Sequence, residues 1–417
     1  MRMHTRAGVL LLAAAAACGG ERGANWKGTI TDSAGVAIVQ NPATGLWGPG
    51  DGWTLTEALR IGTVEGEPEY QFGQIPAAAS IAIASGGQIV VLDALARHLQ
   101  VFSPDGKYLR TIGSPGGGPG QIGANPSAVL IAPGDTVVLS DIGNQRVNLY
   151  LLDGTFVRSA ALSFVDGIPF RWESAADGRI IAQFRRLAFP GSTQQPDSMD
   201  ALVEWRLDGS LGDTLLRVPS GKTVSFAGGA PQMTVFSPEP SWALRDSTVL
   251  YGVSDNYRIG VYGTGRQLER VVEKPFETSP VTEDDKQTYK DLVRDAASAQ
   301  GAPPEAVQQF VNSMKFEEQY PAFAQVLGGV DGSIWVQGIR TPSSVDIEDR
   351  KSFNPQYDLL SPDWDVFDRE GRYLGVVQMP ARFQPVKFVG STIYGIQRDE
   401  VDVQYVVKLT INRPNAT

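Results

Sequence analysis

The side chains that most often do chemistry are scarce in this sequence. It holds two histidines, His4 and His98, and one cysteine, Cys18, too few for a His- or Cys-rich metal centre. A Ser-His-Asp arrangement would rest on His98 alone, and no Gly-x-Ser-x-Gly elbow occurs. Glycines 113–120 are not followed by the Gly-Lys-Ser/Thr of a phosphate-cradling loop, and no Asp-x-Asp-x-Asp-Gly calcium loop appears. What remains are carboxylates and guanidinium groups at recurring positions. Asp93, Asp141 and Asp255 are each followed within a few residues by Arg97, Arg146 or Arg258. Arg185 with Arg186, Arg340, and Arg398 stand at the corresponding places without the acid. The Asp–Arg pairs either brace turns or offer oxygens to a ligand. If the second set converges on one mouth, it would clamp a carboxylate, phosphate or sulfate through bidentate bonds. Otherwise it pairs with nearby acids such as Asp346, Glu348, Asp349 or Asp399.

The amino terminus supplies an address. Arg2 and Arg6 precede an uncharged apolar run over residues 7–17, which ends in small residues. That is the grammar of a secretory signal, and the run is shorter than the roughly 20 apolar residues that span a bilayer. A lone cysteine in an exported chain forms no internal disulfide. Ala15-Ala16-Ala17-Cys18 resembles the bacterial lipobox, departing from it at Ala15, where a large aliphatic is usual. The resemblance implies loss of residues 1–17, acylation of Cys18 and anchoring to a bacterial membrane, facing periplasm or cell exterior. Residues 19–23, rich in Gly, read as a flexible tether. The net charge of −10 disfavours nucleic acid and anionic lipid as partners, so the expected membrane contact is through the anchor only.

A chain of 417 residues exceeds one ordinary hydrophobic core, so it divides into domains or repeats radially. Repetition is visible. Leu59-Arg60-Ile61-Gly62 with Gly66 and Pro68 returns as Leu109-Arg110-Thr111-Ile112-Gly113 with Gly117 and Pro119. Strand–turn–strand units recur at 98–112, 146–162, 201–218, 258–272 and 363–377, with Asp-Gly or a relative at the turn. Phe102, Tyr150, Trp205, Tyr262 and Phe367 hold one column of these units. Two further strand-like runs precede each, giving four short antiparallel strands per unit, which is the pattern of a propeller blade.

The expectation is an all-β, six-bladed β-propeller of four-stranded antiparallel blades over residues 53–413. The sixth blade is closed by Leu55–Ile61 from the other end of the chain, which hides open edges. Residues 18–52 form the lipidated tether and N-terminal segment; within them, 28–41 adds a strand of no assigned place. The blades resemble those of NHL and TolB-like propellers, and the chain resembles the bacterial six-bladed propeller lipoproteins. The likeness rests on Val91-Leu92-Asp93 with Arg97, Val101-Phe102 and Asp105-Gly106, and on the linker Ile112-Gly113 with Gly116 to Gly120. In NHL-like blades such Asp and Arg pairs brace the turn between the second and third strands. Propellers resembling gluconolactonases hold a metal in the central mouth, which implies calcium on Asp93, Asp141 and Asn144, or on Asp255 and Asn256.

With strands named a to d within each blade, b–c and d–a connections emerge on one face. The long insertions fall there: Arg185–Asp200, Arg340–Asp363, and about 275–320, between blades 4 and 5. The last reads as two amphipathic helices, with Tyr289, Leu292, Val293, Ala296 and Ala297 on one stripe and Val307, Phe310, Val311 and Met314 on the other. Thr282 to Asp285 resembles a capping box, and Pro303-Pro304 suits the second start. The pair forms either a lid or a structural elaboration. These features point to a membrane-anchored, non-enzymatic binding or scaffolding propeller. It would take a small anion, or a peptide or protein partner, at its loop-rich face. The resemblance implies the alternative, a calcium-dependent lactonase or hydrolase.

Overall fold

The computed structural model describes residues 26–186, 199–220, 224–227, 230–345 and 353–414. The signal and Cys18, and Asp346, Glu348 and Asp349, lie outside them. Six blades, each built on four antiparallel strands, form a closed ring. Blade 1 comprises Ile81–Ile83, Ile89–Asp93, His98–Phe102 and Tyr108–Ile112; blade 2, Pro126–Ala132, Thr136–Asp141, Arg146–Tyr150 and Phe156–Ala161. Blade 3 comprises Ile168–Ser174, Ile180–Arg185, Met199–Trp205 and Leu211–Pro219; blade 4, Pro240–Arg245, Thr248–Val253, Arg258–Tyr262 and Leu268–Glu273. Blade 5 comprises Gln325–Gly328, Ile334–Ile339, Leu360–Phe367 and Tyr373–Gln378. Blade 6 takes Phe383–Val389, Thr392–Arg398 and Gln404–Asn412, and Thr54–Ile61 completes it.

Burial follows position in the blade. Ile89–Asp93 is buried throughout, because adjacent blades cover both its faces, whereas the outer strand Tyr108–Ile112 alternates. Phe102, Tyr150, Trp205 and Phe367 of the aromatic column are buried between blades, and Tyr262 is half-buried. At each of the five, the pairing of strands c and d shifts register. A bulge there adds twist just before the turn. The ring is locked by Gln404, whose side chain accepts from the Ile75 amide at 2.6 Å and donates to the Ile75 carbonyl at 3.0 Å.

The N-terminal segment has a definite place. Thr29–Ser33 and Val36–Gln40 form a hairpin, and the second strand pairs in parallel with Leu268–Glu273, so blade 4 has six strands. Asn41 then stitches blades 4 and 5. Its amide donates to the Glu273 and Gly371 carbonyls at 3.0 and 2.9 Å, and its oxygen accepts from the Tyr373 amide at 2.7 Å.

On the b–c and d–a face a cap rises over blades 3 to 5. Helix α1, Glu283–Ala299, begins at the Thr282–Asp285 capping box, and helix α2, Pro304–Ser313, begins on proline. Tyr289, Leu292, Val307 and Val311 pack into one core with Val235 from the blade 3–4 connection and with Val345, Phe353 and Leu359 from the blade 5 b–c loop. Three insertions thus share one small core. The blade 3–4 contribution, a hairpin of Val224–Ala227 and Ala230–Val235, was not among the expected insertions. Phe310, expected on the packed stripe, is 44% exposed. Among the described residues no helix is long and apolar enough to cross a membrane.

Candidate functional site in the central channel

Each blade contributes its strand a to the wall of the central channel, which encloses a cavity of about 570 Å³. Its lining includes Ala77 to Ala79 ahead of the first strand of blade 1 and reaches the a–b turns at Ala176, Asp246, Asp331 and Gly390. No residue of the cap or of the b–c loops lines it. Blades 1 and 2 present an apolar wall of Ala79, Ile81, Ile83, Val129 and Ile131. The charged side chains of the wall are Arg171 and Glu173 of blade 3, Lys387 of blade 6, which stands opposite it in a ring of six, Arg245 and Asp246 of blade 4 and Asp331 of blade 5. Arg245 donates to the Gly332 and Arg369 carbonyls at 3.3 and 3.1 Å.

Glu173 of blade 3 is fully engaged. One oxygen accepts from the Arg171 guanidinium at 2.8 Å and the other from the Leu244 amide at 2.8 Å. Arg171 also lies 5.1 Å from the centroid of the Trp242 ring. From blade 6, Lys387 reaches across the channel axis until its Nζ stands 3.4 Å from Ser174 Oγ. No carboxylate among the described residues lies in ion-pair contact with it. Lys387 lines the cavity and is half-buried. Burial therefore depresses its pKa below the ordinary 10.5, and the Glu173 charge opposes the shift.

The sequence accounts for this aim. Register shifts fall between Pro385 and Lys387 and between Pro169 and Arg171, and a third falls between Pro126 and Ala128 of blade 2. Proline lacks the amide that a ladder needs, so it sits at a bulge, and the bulge re-aims the side chain two residues on. Sequence reasoning missed Lys387, Arg171 and Glu173. The signal that could have found them is Pro-x-Lys or Pro-x-Arg within an innermost strand.

Three of the four arginines expected to form an anion mouth are engaged by other groups. Arg185 pairs with buried Asp200 at 2.8 Å and lies over the Phe170 ring at 4.6 Å. Arg398 is buried between Asp358 and Asp402, with Tyr357 against its face. Arg340 donates to Ser344, and Arg186 is exposed. None of the four lines the cavity, and the structure does not bring them together there. Asp399, one of the expected partners, instead accepts the Val401 and Val403 amides of its own turn.

The three aspartates divide. Asp93 is buried and accepts four backbone amides, from Gly73, Gln74, Leu95 and Ala96, at 2.6–3.1 Å. Asp141 accepts the Gly123 amide and Asn144 Nδ2, and it pairs with Arg146 at 3.2 Å. Asp255 is exposed, and its expected partner Arg258 pairs with Glu273 instead. Arg97 forms no ion pair with Asp93 among the described residues. Lone pairs already filled by N–H donors do not suit a calcium ion, which takes six to eight oxygens. Asp93 and Asp141 therefore do not fit it, and no group of three or more His, Cys, Asp or Glu placed to hold a metal occurs among the described residues.

No family model matches the sequence, and no curated protein matches it. Among solved structures, a Bacteroides fragilis protein described as exported superimposes with a TM-score of 0.51 at 11% identity, covering 91% of this chain and 100% of its own. A virginiamycin B lyase from Staphylococcus aureus is 13% identical over 86% of this chain and 99% of its own, with a TM-score of 0.41. A gluconolactonase from Xanthomonas campestris is 10% identical over the same shares, with a TM-score of 0.40. Likeness at these identities speaks to fold alone. This chain is a six-bladed β-propeller with one face partly capped.

Proposed function

We propose that this chain is an exported propeller of the NHL and TolB-like type, tethered by an acylated Cys18, that binds a small anion with an apolar body in its central channel. The observation that carries the reading is Lys387, an ammonium on the channel axis with no carboxylate in contact. Unpaired charge in a confined site is costly, and a ligand carboxylate would relieve that cost. Arg171 is already matched by Glu173 and Arg245 donates to the Gly332 and Arg369 carbonyls, so among the described cations of the wall Lys387 is the one whose charged group meets only a hydroxyl. The apolar wall of blades 1 and 2 would receive the rest of the molecule, and a volume of about 570 Å³ suits a small ligand. Binding needs neither metal nor turnover in this reading.

The test is calorimetric titration of residues 19–417 with short- and medium-chain carboxylates and with their neutral amides. Carboxylates are expected to bind and amides not, and Lys387→Met should abolish the heat. At about 100 times its dissociation constant a bound ligand adds about 2.7 kcal/mol of stability, visible as a raised unfolding midpoint. Equal binding of acid and amide, or undiminished binding by K387M, would overturn the reading.

A further inference from the structure

A second surface stands apart from the channel. The large hydrophobic side chains most exposed among the described residues include Val401 at 74%, Leu95 at 67% and Val64 at 56%. Val401 is at the b–c turn of blade 6, Leu95 at the b–c turn of blade 1, and Val64 on the linker between those blades. Topology puts all three on the b–c and d–a face, in the sector that the cap of blades 3 to 5 leaves bare. The linker gathers them at the ring seam. Gly62 lies beside Tyr405 and Gln404 just past the Val401 turn, Ile75 is clamped by Gln404, and Gly73 touches the Leu95 side chain.

A single exposed aliphatic residue needs no explanation. Three at neighbouring loop tips do, and three exposed carboxylates without an ion pair stand among them. Glu65, Glu67 and Glu400 flank them, are exposed, and form no ion pair among the described residues. The cations nearby are half-buried Arg97 in the blade 1 turn, Arg382 and Arg398, which are bound to Asp399 and Asp402 of the blade 6 turn, and Arg60, which pairs with Glu57. Aliphatic tips ringed by carboxylates complement a surface that is apolar and basic. An anionic membrane would be repelled by the same acids, so a lipid surface fits less well. We infer that the blade 6–blade 1 seam is the docking surface for a basic amphipathic polypeptide segment, separate from the channel site and independent of it.

The probe is a synthetic amphipathic helix of Leu and Lys, titrated against the full mature chain with its linker. Two triple variants test the patch: V64S/L95S/V401S removes the tips, and E65Q/E67Q/E400Q removes the charge. D105N/D153N/D208N removes equal charge from exposed c–d turns on the opposite face. Thermal unfolding confirms that each variant folds. Each patch variant should raise Kd by about tenfold or more, about 1.4 kcal/mol, while the opposite-face variant leaves it unchanged. Three results would overturn the inference. They are no binding by the unmodified chain, equal loss in the opposite-face variant, or tip-dependent binding to phosphatidylglycerol vesicles in place of the peptide.

Discussion

At the scale of single residues, Lys387 and Asp93 show two ways of burying a charge. Asp93 surrounds its carboxylate with four amides, so the charge braces the b–c turn against the linker that enters blade 1. Replacing it with alanine orphans those donors, at about 1–3 kcal/mol for each that water cannot reach. D93A should cost about 3 kcal/mol or more in urea unfolding while leaving carboxylate affinity intact, and EDTA should not move the unfolding midpoint. Lys387 has no such shell. Replacing an unmatched charge with a similar apolar volume is often stabilising, so K387M should gain about 1 kcal/mol as ligand-free protein while losing the ligand. The sign of its pH dependence follows from the depressed pKa. Between the folded-state value and 10.5 the unfolded chain binds more protons, so stability contributed by this group rises with pH across that window. A pH series of unfolding free energies should show that rise in the unmodified protein and a flatter profile in K387M.

At the scale of elements, a buried polar chain joins the loop-rich face to the channel. Arg185 holds Asp200, Asp200 accepts from Gln183 at 2.6 Å, and Gln183 accepts from Trp242 at 2.5 Å; Arg171 then stacks on that indole. The blade 5 b–c loop is tied to blade 6 by Arg398, only 3% exposed, whose partner Asp358 is raised in pKa by burial against the opposing pull of the arginine. R398A would strand Asp358 in the interior. It should cost about 3 kcal/mol or more, and limited proteolysis should cut first in that loop. Sequence made the cap helices legible because their stripes and capping box are local signals. It left Val36–Gln40 unplaced, because its partner strand lies more than 200 residues away and parallel pairing leaves no turn to read. The same limit explains Arg185, Arg340 and Arg398. Their spacing is visible in the sequence, but the acids and hydroxyls that occupy them are fixed by loop packing.

At the scale of the whole molecule, the repeat was readable because every blade must bury the same inner faces and turn the same way. The channel was not, since a wall built from six distant strands has no contiguous motif. Thr54–Ile61 has a global role as the outer strand of the last blade. Deleting residues 26–61 should expose the edge of Gln404–Asn412 and remove the blade 4 hairpin, giving a chain that aggregates and loses cooperative unfolding. The central claim, an anion seated on Lys387, is tested most directly by anomalous diffraction from crystals soaked in 4-iodobenzoate. The account predicts an iodine peak within the channel, against the apolar wall of blades 1 and 2, with the carboxylate on Lys387 Nζ. Iodine found only at the capped face beside Arg185, Arg340 or Arg398, with an empty channel, would contradict it.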